Sequence, residues 1–119
     1  MPEPLGDVTM SALHQALSGL ALRQRTIADN VANIETPGFL AGKVDFEDTL
    51  RSSMADGTDP FAAAPQTSRS LEPTRTNGNN VNLDEETLAG SETNLTYGLA
   101  VQAMTAKFQQ LRIAIGGQP

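Results

Sequence analysis

Cysteine is absent from this chain, and so is tryptophan. The first absence excludes disulfides, thiolate nucleophiles and cysteine metal sites, although it fixes no compartment. The second is part of a wider shortage: aromatic residues make up 4% of the 119 positions, one tyrosine and four phenylalanines. Large rings fill deep cores, so this length supports one domain at most, with a thin core and much to gain from oligomerisation. Bases are scarce too, eight against fourteen acids, for a net charge of −6. No basic stripe exists to displace counterions from phosphates, which argues against nucleic acid and against direct binding of anionic lipid. No apolar run approaches the length of a membrane span. Met1–Val8, with Pro2, Glu3, Pro4 and Asp7, lacks the basic and apolar regions of a signal peptide. The expectation is a cytosolic protein, or one that leaves the cell without cleavage.

Catalytic constellations are missing as well. His14 is the only histidine, set inside a helical pattern with neither cysteine nor a close carboxylate, and is read as structural. Asp45, Glu47 and Asp48 lack the alternation and the glycine of a calcium loop. Gly116-Gly117 follows a helix and has no lysine, so it cradles no phosphate. The reading is therefore a non-enzyme with no catalytic, cofactor-binding or metal residues and no cofactor.

What the chain does have is rhythm. Met10, Leu13, Leu17, Leu20, Gln24, Ile27, Val31 and Ile34 alternate spacings of three and four, and Tyr97, Val101, Met104, Phe108, Leu111 and Ile115 do the same. Each set lays a narrow apolar seam along one side of a helix, and such seams want a partner helix. Gln24 is a polar intruder in the first, and Ala12, Ala16, Ala21, Ala28 and Ala32 flank it, leaving room for a close partner backbone. Asp7, Thr9 and Ser11 are candidate caps at its start. The fold class expected is mainly α, with long N- and C-terminal helices pairing as an antiparallel coiled-coil-like hairpin around an irregular or short-stranded middle. The boundaries are a helix over 7–35, a bend, extended segment and flexible loop over 36–81, and a helix over 82–116.

The middle is where the charge sits: from Glu35 to Glu86 there are ten acids and four bases. Thr36-Pro37-Gly38 ends the first helix, because proline removes a donor and glycine accepts positive φ. Phe39–Phe46 reads as extended, and Glu47–Met54 as a helical turn or two. Asp56–Asn80, with Pro60, Pro65 and Pro73, reads as a loop that closes on a turn at Thr76-Asn77-Gly78-Asn79-Asn80. Asn82 and Glu85 have the spacing of a capping box, and Asp84, Glu85 and Glu86 suit the positive end of a helix dipole. Gly98 weakens the second helix by about 1 kcal/mol unless another helix approaches there.

The stretch Asn30-Val31-Ala32-Asn33-Ile34-Glu35-Thr36-Pro37-Gly38-Phe39 resembles the N-terminal signature of bacterial flagellar rod, hook and related axial proteins. That signature reads Asn-x-Ala-Asn-x-x-Thr-Pro-Gly-Tyr after an apolar helix. Phe39 replaces the usual tyrosine, and Leu40 and Gly42 are atypical. Gly78–Glu86 and Asn94-Leu95-Thr96-Tyr97 are similar to segments of a proximal rod protein in that family. The resemblance implies a structural subunit of the proximal rod that self-assembles through its terminal helices into a hollow drive shaft. Packing would fall to Leu13, Leu17, Leu20, Ile27, Val31, Val101, Met104, Phe108 and Leu111, and the bend to Asn30, Asn33, Thr36, Pro37 and Gly38. Implied partners are copies of itself, other proximal and distal rod proteins, the rod–gate adaptor FliE and the flagellar type III export gate. A sister rod protein, or a soluble flagellar export chaperone or adaptor, is the alternative.

Overall fold

The computed structural model describes residues 5–62 and 64–116. Two long helices dominate: α1, Leu5–Ala32, and α3, Leu83–Gly116. Between them lie strand β1, Gly42–Asp45, helix α2, Glu47–Asp56, a 3-10 turn at Pro60–Ala62, and strand β2, Gln66–Arg69. The terminal helices pair antiparallel: Gln24 donates to Asn94 at 2.8 Å, Ile27 lies beside Gly90, and Ala16 and Ala100 both pack against the cluster that holds Leu20. No helix among the described residues is long and apolar enough to cross a membrane.

Both helix boundaries differ slightly from the sequence reading, for local reasons. Thr9 and Ser11 sit inside α1, because the chain keeps helical geometry back to Leu5 and leaves them nothing to cap. At the other end α1 stops at Ala32, where Asn33 turns its amide back onto the carbonyls of Asp29 and Asn30, both at 3.1 Å. Asn82 does cap α3, its Oδ1 accepting from the backbone N–H groups of Asp84 and Glu85 at 3.0 and 3.2 Å. α3 runs to Gly116, and Gly117 lies outside the described residues.

α1 uses two faces. One row, with buried Leu20 and half-buried Leu13, Leu17, Gln24 and Ile27, carries the seam of the sequence reading. A second row of small and polar residues, Ala12, Gln15, Gly19, Thr26 and Asn30, receives the middle of the chain. The Phe46 ring lies on Gly19 so closely that a Cβ there would come within 2.5–2.7 Å of it. Leu50, Val44, Ala12 and Leu20 complete a small core around that ring.

The strands pair antiparallel, Gly42 opposite Arg69 and Asp45 opposite Gln66. The outer edge of β1 is covered by α1 side chains instead of a third strand. Asn30 grips Gly42 at both backbone groups, donating to its carbonyl at 3.0 Å and accepting from its N–H at 2.7 Å. Arg23 donates to the carbonyl of Val44 at 2.7 Å. Such substitution satisfies a strand edge that would otherwise invite pairing. β2 falls where the sequence reads as loop. Its four side chains are all exposed, so there was no apolar alternation to reveal it.

Candidate functional site

The signature bend and the asparagine-rich turn before α3 form one object. Thr36-Pro37-Gly38-Phe39 is a turn closed by Phe39 N–H to Thr36 carbonyl at 3.2 Å, with Gly38 at φ 75°. Proline second and a left-handed glycine third are what a type II turn requires. A second turn, Arg75 to Gly78, is closed at 2.9 Å with Gly78 at φ 83°. The two glycines lie against each other: a Cβ on Gly78 would stand 3.3 Å from the Gly38 Cα. Gly38 N–H donates to the Asn77 carbonyl at 2.8 Å.

Asparagine side chains stitch the turns together. Asn79 is fully buried. Its Nδ2 donates to the carbonyls of Asn33 at 2.8 Å and Thr36 at 2.9 Å, and its Oδ1 accepts from Val81 N–H at 2.8 Å. Asn80 accepts from Ala41 N–H at 2.7 Å and donates to the carbonyls of Ser70 and Glu72. Arg75 spans the joint, donating to the carbonyls of Ile34 and Val81, each at 2.6 Å. The primary amide presents donor and acceptor together, so it can replace a missing piece of backbone ladder. The result is a rigid corner that fixes where α3 begins relative to where α1 ends.

Of the bend residues expected, Asn30 is buried on Gly42, whereas Thr36, Pro37 and Gly38 are exposed. Asn33 is half-buried and holds Asp29 and the Thr36 hydroxyl. Sequence reasoning missed Arg75, Asn79 and Asn80 as structural partners of that bend. Four consecutive amide and glycine positions were the signal, but a surface turn explains them equally well without the long-range contact. Gly42, atypical by motif, is required here: a Cβ would meet Thr26 Cγ2 at 2.8 Å.

The packing residues divide. Leu20 is buried, while Leu13, Leu17, Ile27 and Met104 are half-buried. Val31, Val101, Phe108 and Leu111 are exposed, by 39%, 42%, 53% and 41%. The covered row of α3 is instead Glu86, Gly90, Thr93, Tyr97, Ala100, Met104 and Lys107, a parallel row sharing only Tyr97 and Met104 with the apolar seam. That row mixes small and polar residues with Tyr97 and Met104, and from Phe108 to Gly116 every residue of α3 is exposed. A shallow depression lined by Phe108, Leu111, Arg112 and Ile115 marks the end of that outer seam.

One ion pair braces the molecule. Arg23 meets Glu47 at 2.6 and 2.8 Å, with its guanidinium 5.0 Å from the centre of the Phe46 ring. The hydrogen bond from Arg23, opposed by desolvation, holds the Glu47 carboxyl below its ordinary pKa; the same bond raises that of Arg23.

A family model described as "Flagella basal body rod protein" matches residues 7–39, from α1 through the bend. The class that α1 and the bend resemble is that of the flagellar basal body rod proteins. Curated relatives narrow it. The chain is 29% identical to the flagellar basal body rod protein FlgB of Bacillus subtilis, over 92% of this chain and 94% of that protein. It is 28% identical to FlgB of Borreliella burgdorferi, over 86% and 91%, and 26% identical to FlgB of Escherichia coli, over 87% and 89%. Together these likenesses support a FlgB-like rod protein.

Proposed function

We propose that the chain is a structural subunit of the proximal flagellar rod, a single unit that assembles with its own copies and with other rod proteins into a hollow drive shaft. The α1–α3 pair supplies the shaft wall. The asparagine-locked corner holds the short sheet and α2 at a fixed angle to that wall, where they meet neighbouring subunits. The observation that carries this reading is the outer seam of α3. Val101, Phe108, Leu111 and Ile115 are apolar, aligned at heptad spacing and exposed among the described residues. Partners on this reading are FlgC, the distal rod proteins, the adaptor FliE and the export gate, through which the chain passes uncleaved by the type III route. A thin core that unfolds readily suits that passage.

The test is to isolate detergent-resistant basal bodies and probe them for this chain and for Leu111→Asp. Because Leu111 is exposed, the substitution leaves the monomer folded, and the variant is expected in the cytosol but not in the particle. Retention of Leu111→Asp at the normal level removes the outer seam from assembly. Wild-type chain found only in the cytosol favours a soluble chaperone or adaptor.

A further inference from the structure

The face of α3 turned away from α1 is apolar. Leu88, Leu95, Leu99, Ala106 and Ile113 fall on one line of the helix, about half a turn round from the row that meets α1. The four large side chains are exposed by 61%, 67%, 58% and 49%. A helix covered by α1 on one side and apolar on the opposite side has a second face left to bury. The outer face of α1 has the reverse character: Ser18, Arg25 and Ala28 are exposed, and Ala21 is half-buried. Among the described residues neither Arg25 nor the carboxylate of Glu92, which flanks the ridge, has an ion pair or side-chain hydrogen bond.

We propose that the leucine ridge of α3 docks on the outer face of α1 of a second copy lying alongside, with Glu92 of one copy facing Arg25 of the next. This rests on the assembly reading above and adds which faces meet and in what register. Within the molecule α1 and α3 run antiparallel, with Gln24 bonded to Asn94 and Ile27 beside Gly90. Copies of one polarity that lie level carry the same register across their boundary. Leu88 then faces Ala28, Glu92 faces Arg25, Leu95 faces Ala21 and Leu99 faces Ser18. Large side chains meet small ones at three levels, and opposite charges meet at the fourth. The contact is head-to-tail, since a ridge meets a different face, so it adds subunit after subunit instead of closing as a dimer.

The absence of cysteine makes the test clean. A full-length double variant, Ser18→Cys with Leu99→Cys, is expressed in place of the natural chain, and isolated basal bodies are oxidised. Leu99 points away from its own α1, so a bridge within one chain is out of reach. A ladder of covalent oligomers beyond the dimer is expected, and neither single variant gives it. Dimers from Leu99→Cys alone indicate ridge against ridge and overturn the proposal, as does a lack of cross-links in particles that contain the chain. Particles without the chain overturn the rod reading itself. A charge swap provides the second measurement: Arg25→Glu and Glu92→Arg each lose retention in the particle, and the two together regain it. Failure of the swap to restore retention overturns the register.

Discussion

Three backbone groups bond to the side chain of Asn79: the N–H of Val81, and the carbonyls of Asn33 and Thr36, which also accept from Thr36 N–H and Phe39 N–H. Asn79→Ala strands the buried Val81 N–H, at about 1–3 kcal/mol for a group that water cannot reach, and takes one of two donors from each carbonyl. We expect a loss of about 1–3 kcal/mol, read in urea unfolding, with faster hydrogen exchange at the corner than along the α1–α3 pair. Unchanged exchange at Phe39 and Val81 would mean that the corner stands without its amide. Gly19 makes a similar point through volume. Alanine is the better helix former by about 1 kcal/mol, yet its methyl would sit 2.5–2.7 Å from the Phe46 ring. That ring is 3% exposed and has nowhere to swing. Overpacking costs about 1–3 kcal/mol, so Gly19→Ala lowers the unfolding midpoint despite its propensity; a raised midpoint would show that the ring yields. The contrast explains what was legible at this scale. Pro37 and Gly38 announce a turn because their backbone demands are local. Gly19 and Asn79 answer to groups far along the chain, and a single sequence does not say which.

At the scale of elements, periodicity located both long helices and picked the face of α1 that meets α3, but it could not orient α3. α3 has apolar residues on nearly every side, so a seam drawn through Val101, Phe108 and Leu111 was as good on paper as the row that α1 covers. The covered row holds Gly90, Thr93 and Ala100 beside Tyr97 and Met104, and hydropathy alone does not pick it out. β2 gave no periodic signal because both its faces are wet. The tie between α1 and α2 is electrostatic and therefore tunable. Arg23 holds the Glu47 carboxyl below its ordinary pKa. A carboxylate whose folded pKa is depressed adds stability that is complete above its unfolded pKa and is lost as pH falls through the folded one. The gap in melting temperature between the natural chain and Glu47→Gln should accordingly be steady near neutrality and shrink below about pH 4. Its size is modest, because the Glu47 side chain is 49% exposed, and exposed pairs contribute about 0.2–1 kcal/mol. A gap that widens on acidification would assign the stabilisation to some other group.

The molecule as a whole is too open to be finished. It measures 62 × 30 × 14 Å with a radius of gyration of 18.0 Å, whereas a compact domain of this length has about 13.5 Å. Its accessible surface is 7828 Å², against about 6200 Å² for a folded monomer of the same mass. The excess is close to the total that a standard protein interface buries, about 1600 Å². Nine of the fourteen large apolar side chains exposed among the described residues lie on α3. Burial against neighbours then has to supply the stability that one chain lacks, by mass action on the folded state. Hydrogen exchange separates the two conditions. In the dilute chain, protection should be highest near Leu20, Val44 and Phe46 and fall away along α3 beyond Lys107, where every residue is exposed. In the assembled particle the same C-terminal stretch should become as protected as the core, because its backbone hydrogen bonds no longer open into water. If the last turns of α3 exchange equally fast in both, neighbours do not cover them, and the apolar surface of that helix has another purpose.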